Sequence, residues 1–300
     1  MNWLFFALLA PAVYALVVFI DKYIVSKEVK DYLCMPLYAS VVGFFFGTIA
    51  WFLAGRPLLP FYDAILTLGA GILTIISFVM YYHALLLEDA SNINLFFQMG
   101  PMFIFILAFL FLREKLNARQ IIGFVIIFYA VYHASLLHGR KGQPVHTSKA
   151  LIYIFIYDIL WALSAILMKL ALKVNTFSQI ISYQNWGVAL GGIGIYFLVP
   201  SMHQSFIKSL CIIKKRFIGI MMLNEFLFVL ARSVTYLAYS LGLVAIVGVL
   251  EGTQVFYGLF YGWSLTKLLP KSFNENITRT TLRRKVFLAG ILFAGIFLIY

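Results

Sequence analysis

Asn224, Glu225 and Arg232 lie inside Phe217 to Leu241, an apolar run long enough to cross a bilayer. A charged side chain at the bilayer centre costs from about 3 kcal/mol upward, so these groups are expected to face protein or a watery hollow and not lipid. At about 100° per residue, the step from Glu225 to Arg232 comes to roughly 700°, about 20° short of two turns, which puts both on one helical face. Tyr236 and Tyr239 continue that face. A guanidinium offers paired donors matched to carboxylate or phosphate, so Arg232 is the first candidate to hold an anionic group of a bound solute. Glu225 stands roughly 10 Å along the axis from Arg232, too far for an ideal direct pair. Glu251, in the next apolar run after a short turn, is the expected partner. The two glutamates then divide between charge partner and proton acceptor, in an order the sequence leaves open.

Other polar residues fall inside apolar runs. Asp158 and Lys169 stand eleven residues apart, about three turns, and share a face. Gln184, Asn185 and Trp186 offer hydrogen bonds and a stacking ring to a polar solute, as do His83 and Gln98. The plainer reading of each is an interhelical hydrogen bond, and of Lys169 a side chain reaching the membrane surface. The histidines at 83, 133, 138, 146 and 203 form no ligand pairs at helical spacing, so no metal and no cofactor are expected. There is no phosphate-cradling glycine loop and no nucleophile elbow, which argues against an ATP-driven pump and against an enzyme.

The elements that must position these residues follow from composition. Of 300 residues 63% are hydrophobic and 11% charged, and mean hydropathy is +0.96, against roughly 25% charged in a soluble domain. The apolar runs have the length of membrane helices, and the alternation of a barrel strand is absent. Ten spans are expected: 3–20, 35–53, 64–87, 93–112, 121–137, 150–172, 180–199, 217–241, 244–265 and 286–300, the last beginning nearer Thr281 if its basic start is helical. The first lacks a basic leader region and a cleavage site, so it reads as a span and not a signal peptide. Cys34 and Cys211, near span ends, read as free thiols.

The two halves echo one another. Tyr14-Ala15-Leu16 with Lys22 matches Trp161-Ala162-Leu163 with Lys169 at an offset of 147, and Gly43 and Gly47 match Gly187 and Gly191 at 144. Trp51-Phe52-Leu53 is similar to Tyr196-Phe197-Leu198 at 145. Small residues four apart let helices approach closely, and Gly248/Gly252 and Gly258/Gly262 repeat the device. The expected organisation is a five-helix repeat over 1–138, a connector over 139–149 and a second five-helix repeat over 150–300. Five spans being odd, the second copy enters the membrane in the opposite sense, as in transporters with a midplane site between inverted repeats.

Tyr14-Ala15-Leu16, Trp161-Ala162-Leu163, Tyr82-His83-Ala84-Leu85, Pro101 and Arg113-Glu114-Lys115-Leu116 together resemble the drug/metabolite transporter superfamily, in its EamA-like branch of ten helices. The second half departs from that pattern, with Phe256 near the proline position and Leu268-Leu269-Pro270-Lys271 in place of the glutamate motif. The resemblance implies a transporter without naming its cargo. The expectation is therefore an all-α polytopic membrane protein, about ten helices in an inverted five-plus-five repeat, acting as a secondary transporter of a small polar or amphipathic metabolite by alternating access. Arg232, Glu251, Glu225, Asp158, Gln184, Asn185 and Trp186 are its candidate substrate-binding residues, and export or proton coupling its expected mode. An exchanger or flippase for phosphorylated sugars or lipid-linked intermediates is the alternative within transport; a non-transporting scaffold is the alternative outside it.

Net charge is +12, yet the basic residues sit almost wholly in connections between spans, which reads as membrane topology and not a nucleic-acid footprint. Connections after odd-numbered spans hold sixteen Lys and Arg, those after even-numbered spans five. That bias puts both termini outside the cytoplasm; the resemblance implies both inside. Expected partners are a small-molecule substrate and membrane lipid, with monomer and homodimer both open, and the expected location is a bacterial cytoplasmic membrane.

Overall fold

The structure, a computed structural model, describes residues 3–27, 32–112, 118–135, 148–212, 215–241, 250–270, 273 and 279–299. The Arg113-Glu114-Lys115-Leu116 motif, Gly248 and nearly all of the 139–149 connector lie outside the described residues. Helices occupy each expected span position: α1 Trp3–Lys27, α2 Met35–Leu53, α3 Phe61–Leu87, α4 Ala90–Phe96 with α5 Gly100–Leu112, α6 Ala118–Ser135, α7 Ala150–Ala171, α8 Phe177–Leu198, α10 Lys215–Leu241, α11 Gln254–Leu268 and α12 Arg279–Ile299. Among the described residues, six spans are long and apolar enough to cross a membrane, or seven if bent α8 and the helix after it count as one. Side chains such as Phe45, Phe52, Phe61 and Phe197 stay exposed around the bundle, as lipid contact requires.

Two expectations are corrected and a third is refined. Helix α1 continues past Ile20 to Lys27, so Asp21 is inside a helix and only 2% exposed. Residues after Val199, read from sequence as a connection, form α9, Pro200–Ile212, bent 102° from α8. Pro200 at the bend cannot continue the α8 hydrogen-bond ladder. The fourth span runs as one from Ala90 to Phe111, as expected, but contains a 3-10 turn at Phe97–Met99 between α4 and α5. Pro101 has no N–H for the Phe97 carbonyl, and its ring crowds that carbonyl, so a continuous helix is interrupted there. A second interruption falls at Gly252 and Thr253, just before α11.

The most extensive packing pairs recur when the halves are exchanged. Helix α1 packs on α10 as α7 packs on α3, and α1 on α11 as α7 on α5; α2 meets α10 as α8 meets α3. Helices α2 and α8 pack on each other, as do α6 and α12. Glycine sets the close crossings: a Cβ on Gly47 would come within 2.9 Å of the Ser182 carbonyl, and one on Gly43 within 3.2 Å of the Asn185 carbonyl. Polar side chains join α7 and α8 to α3. The Ser164 hydroxyl donates to the Ala70 carbonyl at 2.8 Å and meets Thr74 Oγ1 at 3.1 Å, while Gln184 Nε2 lies 3.5 Å from Thr74 Oγ1. Ser164→Ala is expected to cost about 1 kcal/mol, read as a lower unfolding temperature in detergent with the fold retained.

Candidate functional site

A cavity of ≈ 90 Å³ opens between α1, α3, α7 and α10 and is lined also by residues at both helix interruptions. Phe97, Gln98, Gly100 and Pro101 line it from the first break, and Glu251 and Gln254 flank it at the second. The two breaks are tied together. Gln254 Nε2 donates to Asn94 Oδ1 at 2.8 Å, and Gly258 lies so close that a Cβ there would meet Asn94 Cβ at 2.8 Å. Interrupted helices leave backbone and polar side chains facing the cavity they line, where lipid would not tolerate them.

Four carboxyl groups line this cavity: Asp21, Asp158, Glu225 and Glu251. Among the described lining residues there is no Lys or Arg. The remaining wall is aromatic. Tyr157 and Trp161 stack at 5.9 Å and 15°, and Phe228 meets Tyr14 at 5.4 Å, Phe78 at 4.9 Å and Trp161 at 5.9 Å.

The densest hydrogen bonding surrounds Asp21. Its Oδ2 accepts from the Tyr81 hydroxyl at 2.8 Å; its Oδ1 accepts from Asn224 Nδ2 at 2.8 Å and stands 3.1 Å from the Tyr82 hydroxyl. That same hydroxyl lies 3.0 Å from Glu225 Oε1, so Tyr82 joins carboxyls of α1 and α10. From sequence, Tyr81 and Tyr82 suit an interfacial aromatic belt. The structure overturns this: they are 6% and 1% exposed and spend their hydroxyls on buried carboxyls. Asp21 was missed because the apolar run stops at Ile20. A readable signal was present, since Tyr14, Val17, Val18 and Asp21 recur at helical spacing and all line the cavity.

Arg232 is 1% exposed and is not among the lining residues. Its Nη2 donates to Asn185 Oδ1 at 2.6 Å, its Nε has no partner, and its guanidinium lies 5.5 Å from the centre of the Phe228 ring. Arg232 thus stands behind the aromatic wall, held by α8. Glu225 of the same face does reach the cavity, and so do Asp158 and Glu251. One Asp158 carboxylate oxygen, Oδ2, is buried without a partner. Gln184 is buried against Thr74, and Trp186 donates to Thr48 at 3.2 Å beside Trp51, both apart from the cavity lining. His83 bonds the Val79 carbonyl and stacks on Tyr153. A second cavity shares Ile104, Ala165 and Tyr236 with the first and carries Lys169 and Lys173.

Fold and site together define a polytopic helical membrane protein whose interrupted helices enclose a polar, aromatic-walled hollow. Residues 1–136 match the model of the EamA-like transporter family, and with the membrane helices this supports a membrane transporter. No curated protein matches the chain. A solved crystal structure described only as that of a protein aligns over 98% of this chain and 95% of its own, with a TM-score of 0.56 at 13% identity. At that identity the likeness is one of fold.

Proposed function

We propose that this protein is a secondary transporter that moves a small amphipathic solute bearing a cationic amine, by alternating access about the central cavity. The observation that carries this reading is the lining itself: four carboxyl groups set in an aromatic wall, with no Lys or Arg among the described lining residues. Aromatic faces and carboxylates both attract an ammonium, and the aromatic wall suits an apolar body attached to it. Asp158, Glu225 and Glu251 face the solute in this reading. Arg232 balances their charge from behind Phe228, and Gln184, Asn185 and Trp186 hold α8 in place. The five-helix units over 1–138 and 150–300 are the bodies that rock, a division supported by the exchange symmetry of the packing pairs. The membrane is a bacterial cytoplasmic one. An anionic cargo, whether sugar phosphate or lipid-linked phosphate, would need Arg232 to enter the hollow.

Counterflow into vesicles containing the purified chain tests this, using matched sets of aromatic amines, neutral analogues and sugar phosphates. Amines are expected to exchange and phosphates not. Exchange of phosphates alone overturns the cargo class; exchange of neither set beyond protein-free vesicles overturns transport of these solutes. Asp158→Asn is expected to raise the half-saturating amine concentration at least tenfold, about 1.4 kcal/mol of lost attraction, because it removes a carboxyl oxygen that nothing else occupies.

A further inference from the structure

We propose that Asp21, Tyr82 and Glu225 together hold a single exchangeable proton, and that this proton is the coupling ion of transport. The coupling half rests on the transport reading above; the proton-binding half does not. A phenol carries one hydrogen, yet the Tyr82 oxygen lies 3.1 Å from Asp21 Oδ1 and 3.0 Å from Glu225 Oε1. With both carboxyls ionised, one of those contacts has no hydrogen in it and sets two oxygen lone pairs against each other. One added proton completes the row: a Glu225 O–H donates to the Tyr82 oxygen, whose own hydrogen goes to Asp21. The order is set by the other donors. Asp21 also accepts from Tyr81 and Asn224, which stabilise its negative charge, whereas the hydrogen bond of Glu225 runs to Tyr82. The proton therefore resides on Glu225.

Lys22, next to Asp21 on α1, directs its ammonium to the carbonyls of Leu85 at 2.6 Å and Glu88 at 2.7 Å. Arg232, two turns along α10 from Glu225, attracts that carboxyl through space but gives its hydrogen bond to Asn185. From α7 the facing groups are Tyr157 and Asp158, and beyond α10 Glu251; α11, packed on α1, turns Tyr261 towards Phe19. Asp21 and Glu225 are 2% and 3% exposed but both line the cavity, so water there reaches them. Uptake forms an O–H bond on Glu225 at the expense of a hydronium and takes the pair from two negative charges to one. Release reverses this, returning the proton to cavity water. A cationic solute favours the doubly charged pair, so its entry and proton release are linked.

Infrared difference spectroscopy of the full-length chain in lipid vesicles, titrated with pH, tests the proton site without any cargo. The expected result is a protonated-carboxyl C=O band that is lost in Glu225→Gln and whose midpoint moves at least tenfold in proton concentration in Asp21→Asn and in Tyr82→Phe. Tyr82→Phe keeps the ring packed against Phe78 and Tyr81, so it reads the bridge without emptying the core. A band that survives Glu225→Gln, that is indifferent to both other variants, or that sodium abolishes at constant pH overturns the proposal. Amine flux then separates the two halves. A pH gradient is expected to drive it in the wild type, and Glu225→Gln is expected to lose that dependence. Flux indifferent to the gradient, with the band present, overturns coupling alone; a band without any flux removes the transport reading and leaves the proton site standing.

Discussion

Arg232→Ala is expected to lower amine flux about 100-fold, close to 2.7 kcal/mol, in protein that still folds and inserts. The substitution removes the buried cation that attracts Glu225 without removing any lining residue. It also removes support from Phe228, whose ring meets Tyr14, Phe78 and Trp161. The fold is expected to survive because the hydrogen bond of Arg232 runs to a neutral amide, Asn185, so its loss breaks no hydrogen-bonded ion pair. Taking one partner from a buried ion pair would be far more damaging. Two companions separate charge from hydrogen bonding: Arg232→Lys is expected to keep a measurable part of the flux and Arg232→Gln almost none. Retained flux in Arg232→Gln would mean that the contact to Asn185, and not the charge, is what the site needs.

Gly71→Ala is expected to destabilise the protein by more than about 3 kcal/mol, the upper end of overpacking costs, and to leave little folded material in detergent. A single added Cβ on α3 would run into the Gln184 carbonyl and the Val188 amide of α8, which are backbone and cannot rotate away. Gly187 meets the Leu68 carbonyl in the same way from the other side. The crossing of α3 and α8 thus rests on two glycines facing each other's backbones, and it also fixes Asn185, the acceptor for Arg232. Gly194→Ala is the control, because a Cβ there meets nothing, and loss of glycine from a helix interior should stabilise by roughly 0.5–1 kcal/mol. Comparable melting temperatures for Gly71→Ala and Gly194→Ala would show that the crossing relaxes more readily than this geometry allows.

Much of the architecture was legible because membrane insertion constrains sequence so tightly. Helices must satisfy their own backbone hydrogen bonds in lipid, so apolar length alone marks α2, α3, α7 and α10 to within a few residues. Pro101 announced the 3-10 turn within the fourth span, which the sequence reading took as one apolar run. Glu225 and Asp158 were identifiable as cavity candidates from the cost of burying a charge, which is a property of residue type and depth.

What sequence could not fix was which buried groups meet. Arg232 was expected to find Glu251; it reaches Asn185 because the glycine crossings bring α8 against α2 and α3. Asp21 sat one residue beyond an apolar run and looked like a flanking charge, until the extension of α1 carried it between Tyr81, Tyr82 and Asn224. The types of side chain available to the hollow were set by the one-dimensional pattern, since hydration cost is local. Their pairing was decided only by the crossing of helices distant in the chain, because a hydrogen bond depends on ångström distances that residue spacing along one helix does not encode.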